Sequence, residues 1–212
     1  VADAKMRIFN ADGSEGKMAG NGIRCVGKYL YDSKTVNKPK MTIETGSGIR
    51  ELELHCFNSM VNLVTVDMGK VCFEPAKIPV NLPDEKIIER DVRIGGRPYK
   101  ITCLSIGNPH CVIPSETIDR EKVCKLGKKI AESKMFKNGI NVMLLQVEDK
   151  NNLNIEIFER GVGYILASGT CSCAAAAVAY KKGWVGQDVM VHMPGGKLWI
   201  QIDENWNLKM TG

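Results

Sequence analysis

No two cysteines stand at C-x-x-C spacing, although eight occur, at 25, 56, 72, 103, 111, 124, 171 and 173. Histidine is scarce, and His55, His110 and His192 are dispersed. Both features argue against a zinc site, and no metal is expected. Several cysteines sit in apolar stretches (LELHCF, ITCLSI, PHCVI) and read as small buried hydrophobes in a reducing cytosol. Basic clusters such as Lys122–Lys129 lack the interleaved aromatics of a nucleic-acid groove, so no nucleic-acid partner is expected. Long apolar runs are lacking too. Only Gly161–Tyr180 approaches the ~20 uncharged residues that span a bilayer, and its Gly, Ser and Thr interruptions argue against a membrane helix. The start resembles no signal segment, so a cytoplasmic protein is expected. Val1 is not an initiator methionine, which predicts a fragment or a trimmed product.

What is present suits a soluble globular protein. The 212 residues are enough for one large domain or two small ones, and the net charge of +5 arises from lysines scattered among acids. KMRIFNADG alternates into a turn at Asn10–Gly13. Ile23, Val26, Tyr29 and Leu30 give Gly20–Asp32 helical spacing. KMTIETGSGIRELELH and SMVNLVTVDMG read as strands around a Gly-rich turn. After them come a strand in RPYKITCLSIG, a charged helix near Arg120–Ser133, strands at Asn141–Gln146 and Leu153–Phe158, and a helix from Gly169 to Lys182. DVMVHMPGGKLWIQI and NLKMTG close the chain with strands. The pattern is strand-rich α+β.

The chain also repeats itself. At an offset of 149, which sets Ala19 beside Ser168, Ile8-Phe9 meets Ile157-Phe158 without a gap and Asn10 meets Glu159. Gly20, Tyr31, Val36, Met41 and Gly46 then meet Gly169, Tyr180, Val185, Met190 and Gly195. The matches fall on glycines and element boundaries, as a duplicated domain requires. Facing halves would bring two helix N-termini, at Gly20-Asn21-Gly22 and Gly169-Thr170, to one cleft. Each offers free N–H donors and a positive dipole end, so together they suit a carboxylate. Glu159, or Asn10 in the other half, could then hold an ammonium group. The expected ligand is a zwitterion such as an amino acid.

The blocks FNADGSEGKMAGNGIRC, IGNPHCV, NGINV and ERGVGYILASGT resemble the signature blocks of the diaminopimelate epimerase family, in the same order and over essentially the whole chain. The resemblance implies an α+β fold of two pseudo-symmetric domains, each a curved, mostly antiparallel sheet wrapped around a central helix; we set them at 1–68 and 69–212. It implies interconversion of LL- and meso-diaminopimelate without pyridoxal phosphate, metal or other cofactor, in lysine and peptidoglycan precursor biosynthesis, and a homodimer by precedent. In that family one cysteine at the start of each central helix exchanges the α-proton, one on each face. By position, Asn10, Asn108, Asn141, Glu159 and Arg160 match the family's substrate-binding side chains. Gly20, Asn21, Gly169 and Thr170 match its backbone seats. For His110, in GNPH, a packed structural role is an equal expectation.

The departures fall on the chemistry. Ala19 and Ser168 stand where the family has its two catalytic cysteines, and Cys171 stands where it has glycine. Alanine cannot exchange a proton, and an unactivated hydroxyl is a poor base at neutral pH. Cys171 follows Ser168 by three residues, about 300° round a helix, so it does not replace the missing thiol. The family's G-x-G-N-D-F block, with another substrate-contacting asparagine, is also absent from this sequence. Impaired epimerase chemistry is therefore expected. Two alternatives stay open: a non-catalytic amino-acid-binding protein on the same fold, and a racemase or isomerase of another amino acid.

Overall fold

The computed structural model describes residues 1–212 apart from 10–12, 14, 17, 59, 79, 82–85, 132 and 137. Among the described residues it is a mixed α+β fold in which three α-helices serve one large sheet. Helix α1 spans Gly20–Asp32, α2 Arg120–Ala131 and α3 Gly169–Lys181. Thirteen strands form the sheet. From one edge its order is Ala4–Lys5, Lys40–Thr45, Gly48–Phe57, Met60–Lys70, Asn207–Thr211, Gly196–Ile202 and Asp188–Met193. It continues through Asn152–Glu159, Asn141–Val147, Pro109–Pro114, Arg97–Ser105 and Arg90–Ile94, and the thirteenth strand, Gly163–Ile165, pairs with Asn152–Glu159 off this path. Most neighbours are antiparallel; three pairs, including Asn141–Val147 with Pro109–Pro114, are parallel.

Helix α3 explains the sheet's curvature. It touches seven strands that are consecutive in the sheet, from Arg97–Ser105 round to Asn207–Thr211. Laid flat at ~4.8 Å spacing, seven strands would spread over roughly 29 Å, far wider than a helix. The sheet must therefore wrap the helix. The sequence permits this because the alanine run Ala174–Ala177 is fully buried and presents nothing larger than a methyl group. Alanine also has the best helix propensity, so burial and local preference agree. The helix stops where Gly183 takes φ +68°, with Trp184 N–H donating to Ala179 C=O and Gly183 N–H to Tyr180 C=O, a Schellman closure.

Helix α1 is different. Ile23 and Gly27 are buried against Gly48–Phe57 and Met60–Lys70, but Tyr29, expected on the apolar face, is 69% exposed. Helix α2 covers the opposite face of Asn141–Val147 from α3, with Val123, Leu126 and Ile130 forming a second core with Ile101, Ile113 and Leu144. The central strands Pro109–Pro114 and Asn141–Val147 are consequently buried on both faces and read as continuous apolar runs.

The strand expected through KMRIFN is two short pieces, Ala4–Lys5 and Ile8–Phe9, and most of the turn after it, including Asn10, lies outside the described residues. Four cysteines (Cys103, Cys111, Cys171, Cys173) are buried as expected, but Cys25 and Cys56 are exposed. Cys56 follows a register shift in its hairpin, and that irregularity breaks the alternation which LELHCF suggests. Helices α1 and α3 start and end at the same 149-residue offset as the sequence repeat. The strand Met60–Lys70 runs through the boundary expected at residues 68 and 69, and Asn207–Thr211 pairs with it.

Candidate functional site: a cleft between two helix N-termini

The two helix starts touch. A Cβ built on Gly20 would lie 3.3 Å from Gly169 Cα, and one built on Gly169 would lie 3.3 Å from Gly20 Cα and 2.6 Å from Met210 Sδ. Only residues without side chains let the ends approach this closely. Ala19 and Ser168, the residues just before them, share an extended backbone (φ −134°, ψ 117° and φ −151°, ψ 125°). The positive ends of both helix dipoles therefore converge on one place. As first-turn residues, Asn21 and Thr170 have N–H groups without helical partners.

A cleft of about 900 Å³ opens beside these ends. Met18, immediately before Ala19, lines it from one half, and Thr170, Asn108, Glu159 and Arg160 line it from the other. Four of the expected site residues are thus brought together. Glu159 ends the strand Asn152–Glu159 and is half-buried. Burial raises its carboxyl pKa above the ordinary value, and the neighbouring Arg160 offsets this only in part. Arg160 is exposed, with Nη1 donating to Asn138 C=O at 3.2 Å. Among the described residues the two form no ion pair, so neither neutralises the other.

Other expected residues stand back from the cleft surface. Asn141 is buried, and its Oδ1 accepts the Arg160 backbone N–H at 2.9 Å. It holds the strand end carrying Arg160 in place. The exposed Asn21 accepts from Arg24 Nη1 through Oδ1 at 3.2 Å. Gly20 and Gly169 are buried against each other. Ser168 caps α3, its Oγ accepting the Cys171 N–H at 3.4 Å, whereas Ala19 gives α1 no side-chain cap. Asn10 lies outside the described residues.

His110 proves both packed and connected. It is fully buried, yet its Nε2 is 2.8 Å from Asn108 Oδ1 and its Nδ1 3.8 Å from Cys171 Sγ. Burial, reinforced by the Arg160 charge, takes its pKa down to about 3, so the ring is neutral. Sequence reasoning missed Arg50, which lines the cleft and reaches Ser47 C=O at 3.3 Å and Ser47 Oγ at 3.4 Å. The signal was parity: Arg50 shares the inward face of its strand with Leu52 and Leu54. Among the described residues no group of three or more His, Cys, Asp or Glu could hold a metal ion, and no helix is long and apolar enough to cross a membrane.

Known proteins share both the fold and the sequence. A probable proline racemase from Agrobacterium radiobacter superposes with a TM-score of 0.74 at 16% identity, over 100% of this chain and 69% of its own. A predicted epimerase from Pseudomonas aeruginosa gives 0.65 at 17% identity, over 99% of this chain and 76% of its own. At such identities the likeness is one of fold. In sequence, proteins named diaminopimelate epimerase from Caldanaerobacter subterraneus and Acetivibrio thermocellus are 40% and 41% identical over 212 residues. All of this chain is covered, with 77% and 76% of theirs. The profile of that family matches residues 1–74 and 102–212, which contain the converging helix ends and every cleft residue named above. The chain belongs to the diaminopimelate epimerase family.

Proposed function

We propose that this chain binds diaminopimelate in the cleft between α1 and α3, and that its two-base proton transfer is impaired at Ala19 and Ser168. The observation that carries the reading is the contact between Gly20 and Gly169, which aims two helix N-termini at one ligand carboxylate. Thr170 and Asn108 stand ready as donors to that carboxylate, Glu159 as the partner of the ammonium group, and Arg160 as a cation for a second carboxylate. Asn10 would act from the opposite half. The ligand is small and the chemistry asks for no cofactor. The equal element spacing of α1 and α3 supports two duplicated units, at 1–68 and 69–212, with the ligand between them. Their pairing as a homodimer, a cytoplasmic location and a place in lysine biosynthesis follow the family.

Epimerisation moves one proton off the α-carbon and another onto its opposite face. A base on one side takes the first, the electron pair passes toward the carboxylate held by the helix ends, and an acid on the other side returns a proton. Ala19 offers neither group. Ser168 offers a hydroxyl whose oxygen already serves the Cys171 N–H. Each well-placed acid or base contributes roughly 10²–10⁴ in rate. Thiols at these two positions would be activated, because helix N-termini lower a thiol pKa.

Exchange of the ligand's α-proton with solvent deuterium tests this directly. The unaltered chain is expected to bind diaminopimelate without measurable exchange. Ala19→Cys alone should permit at most slow exchange from one face. Ala19→Cys with Ser168→Cys should restore exchange and epimerisation. Activity in the unaltered chain would mean that another acid–base pair operates. A folded double variant that binds yet stays inert would leave the amino-acid-binding reading in its place.

A further inference from the structure

Cys171 has no part in the chemistry above, yet it lies one residue from the ligand seat. It is the third residue of α3 and fully buried, with Sγ 3.8 Å from His110 Nδ1. On the far side of the ring, His110 Nε2 is 2.8 Å from Asn108 Oδ1. Asn108 Nδ2 in turn lies 3.4 Å from Thr170 Oγ1, and both residues line the cleft. The four side chains form one line from the buried side of α3 to the ligand surface.

Counting donors fixes the direction of every bond in that line. An amide oxygen has no hydrogen to give, so His110 Nε2 must donate to Asn108 Oδ1. A neutral imidazole carries a single N–H, so Nδ1 must accept. The only group facing Nδ1 in this line is the Cys171 thiol, which must then donate. Burial agrees on both counts, holding the ring neutral and pushing the thiol pKa up to about 12. With the opposite tautomer, Nδ1–H would face sulfur and Nε2 would meet an oxygen lone pair, a repulsion buried away from water.

We propose that Cys171 is a positioning residue: its S–H bond to His110 Nδ1 holds the ring in the Nε2–H form, which holds Asn108 with its amide N–H groups toward Thr170 and the ligand. The glycine that the family has at this position has no such donor. The same bond disposes of Cys171 as a substitute for the missing thiols, since its proton is committed and its sulfur is shut away from the cleft. The effect on ligand affinity rests on the reading that Asn108 meets the ligand. The bond directions do not.

Two measurements test it. In protein labelled with ¹⁵N-histidine, with His55→Gln and His192→Gln variants for assignment, His110 is expected to be neutral with its proton on Nε2. A proton on Nδ1 would overturn the proposal. In Cys171→Ala the Asn108 side-chain amide signals should shift or broaden, and diaminopimelate should bind about three- to tenfold more weakly, the worth of one ordinary hydrogen bond. Cys171→Ser, which keeps a donor, should retain both the amide signals and the affinity. Unchanged Asn108 signals in a folded Cys171→Ala would also overturn the proposal. If that variant does not fold, the tautomer of the unaltered chain and its survival in Cys171→Ser decide. If the unaltered chain does not bind diaminopimelate at all, the substrate reading falls and the nitrogen signals alone judge Cys171.

Discussion

Glu159 carries opposing demands from stability and binding. Its carboxyl is half-buried and, among the described residues, receives no hydrogen bond from a side chain, so folding favours the protonated form. A carboxyl whose pKa is raised on folding adds stability below its unfolded value, and this is lost as pH rises through the folded value. Glu159→Gln should therefore match the parent in urea unfolding below pH 4.5, the group's ordinary value, and equal or exceed it at pH 7. The same substitution should weaken diaminopimelate binding at pH 7, because a neutral amide gives an ammonium group only a dipole. Titration calorimetry beside the unfolding curves separates the two; unchanged affinity would return Glu159 to the role of an ordinary acid. Glu159, Arg160, Asn108 and Thr170 were legible as a set because each lies in a recognisable block. Asn141 shared that signal, yet only its bond to the Arg160 backbone shows where it acts. Arg50 carried only the parity of its strand as a signal, and the contact of His110 with Cys171 carried none, since the two lie 61 positions apart in different elements.

At the scale of elements, the least conspicuous residues control the geometry. Gly169 abuts both Gly20 Cα and Met210 Sδ, so a methyl group there cannot be accommodated by moving one flexible side chain. Gly169→Ala should destabilise the fold by about 1–3 kcal/mol, the usual cost of overpacking, against a gain of at most ~1 kcal/mol from helix propensity. Adding Met210→Ala should recover none of the loss that comes from the contact with Gly20 Cα, although it removes the closer contact with sulfur. Urea midpoints of Gly169→Ala, Met210→Ala and the double variant measure both parts. A Gly169→Ala chain as stable as its parent would mean that the helix ends have room to separate. Helices α1 and α3 were legible nearly to the residue, through their glycine starts and, in α1, the 3.6-residue spacing, whereas α2 ends at Ala131 rather than Ser133. The sequence did not reveal that α3 would be surrounded by seven strands while α1 keeps Tyr29 in solvent.

For the whole molecule, the question is whether the two proposed units behave as one. The strand Asn207–Thr211 pairs with Met60–Lys70, so backbone hydrogen bonds cross between the halves, and one core holds Ile23 and Leu54 together with Val178 and Ile200. Within the second unit, Trp206 makes edge contacts to Phe73 and Tyr180, at 5.5 and 5.4 Å between ring centroids. A shared sheet and core should unfold together. Tryptophan fluorescence and far-UV circular dichroism are expected to give coincident urea transitions. Two separated transitions would instead mean units that fold independently.

The sequence alone determined the helices, most strands, the 149-residue repeat and the family blocks, because each depends on local propensity, periodicity or residue identity along the chain. It also shows Ala19 and Ser168 at the positions on which the proposed loss of proton transfer rests. Tertiary structure alone decided that Gly20 and Gly169 meet, that Met210 packs against both, and that Cys171, His110 and Asn108 form one line into the cleft. Apart from the local contact between His110 and Asn108, those relations join residues from about forty to nearly two hundred positions apart. Their distances are set by how tightly a curved sheet closes on an alanine-faced helix, a property of packing that no local pattern encodes.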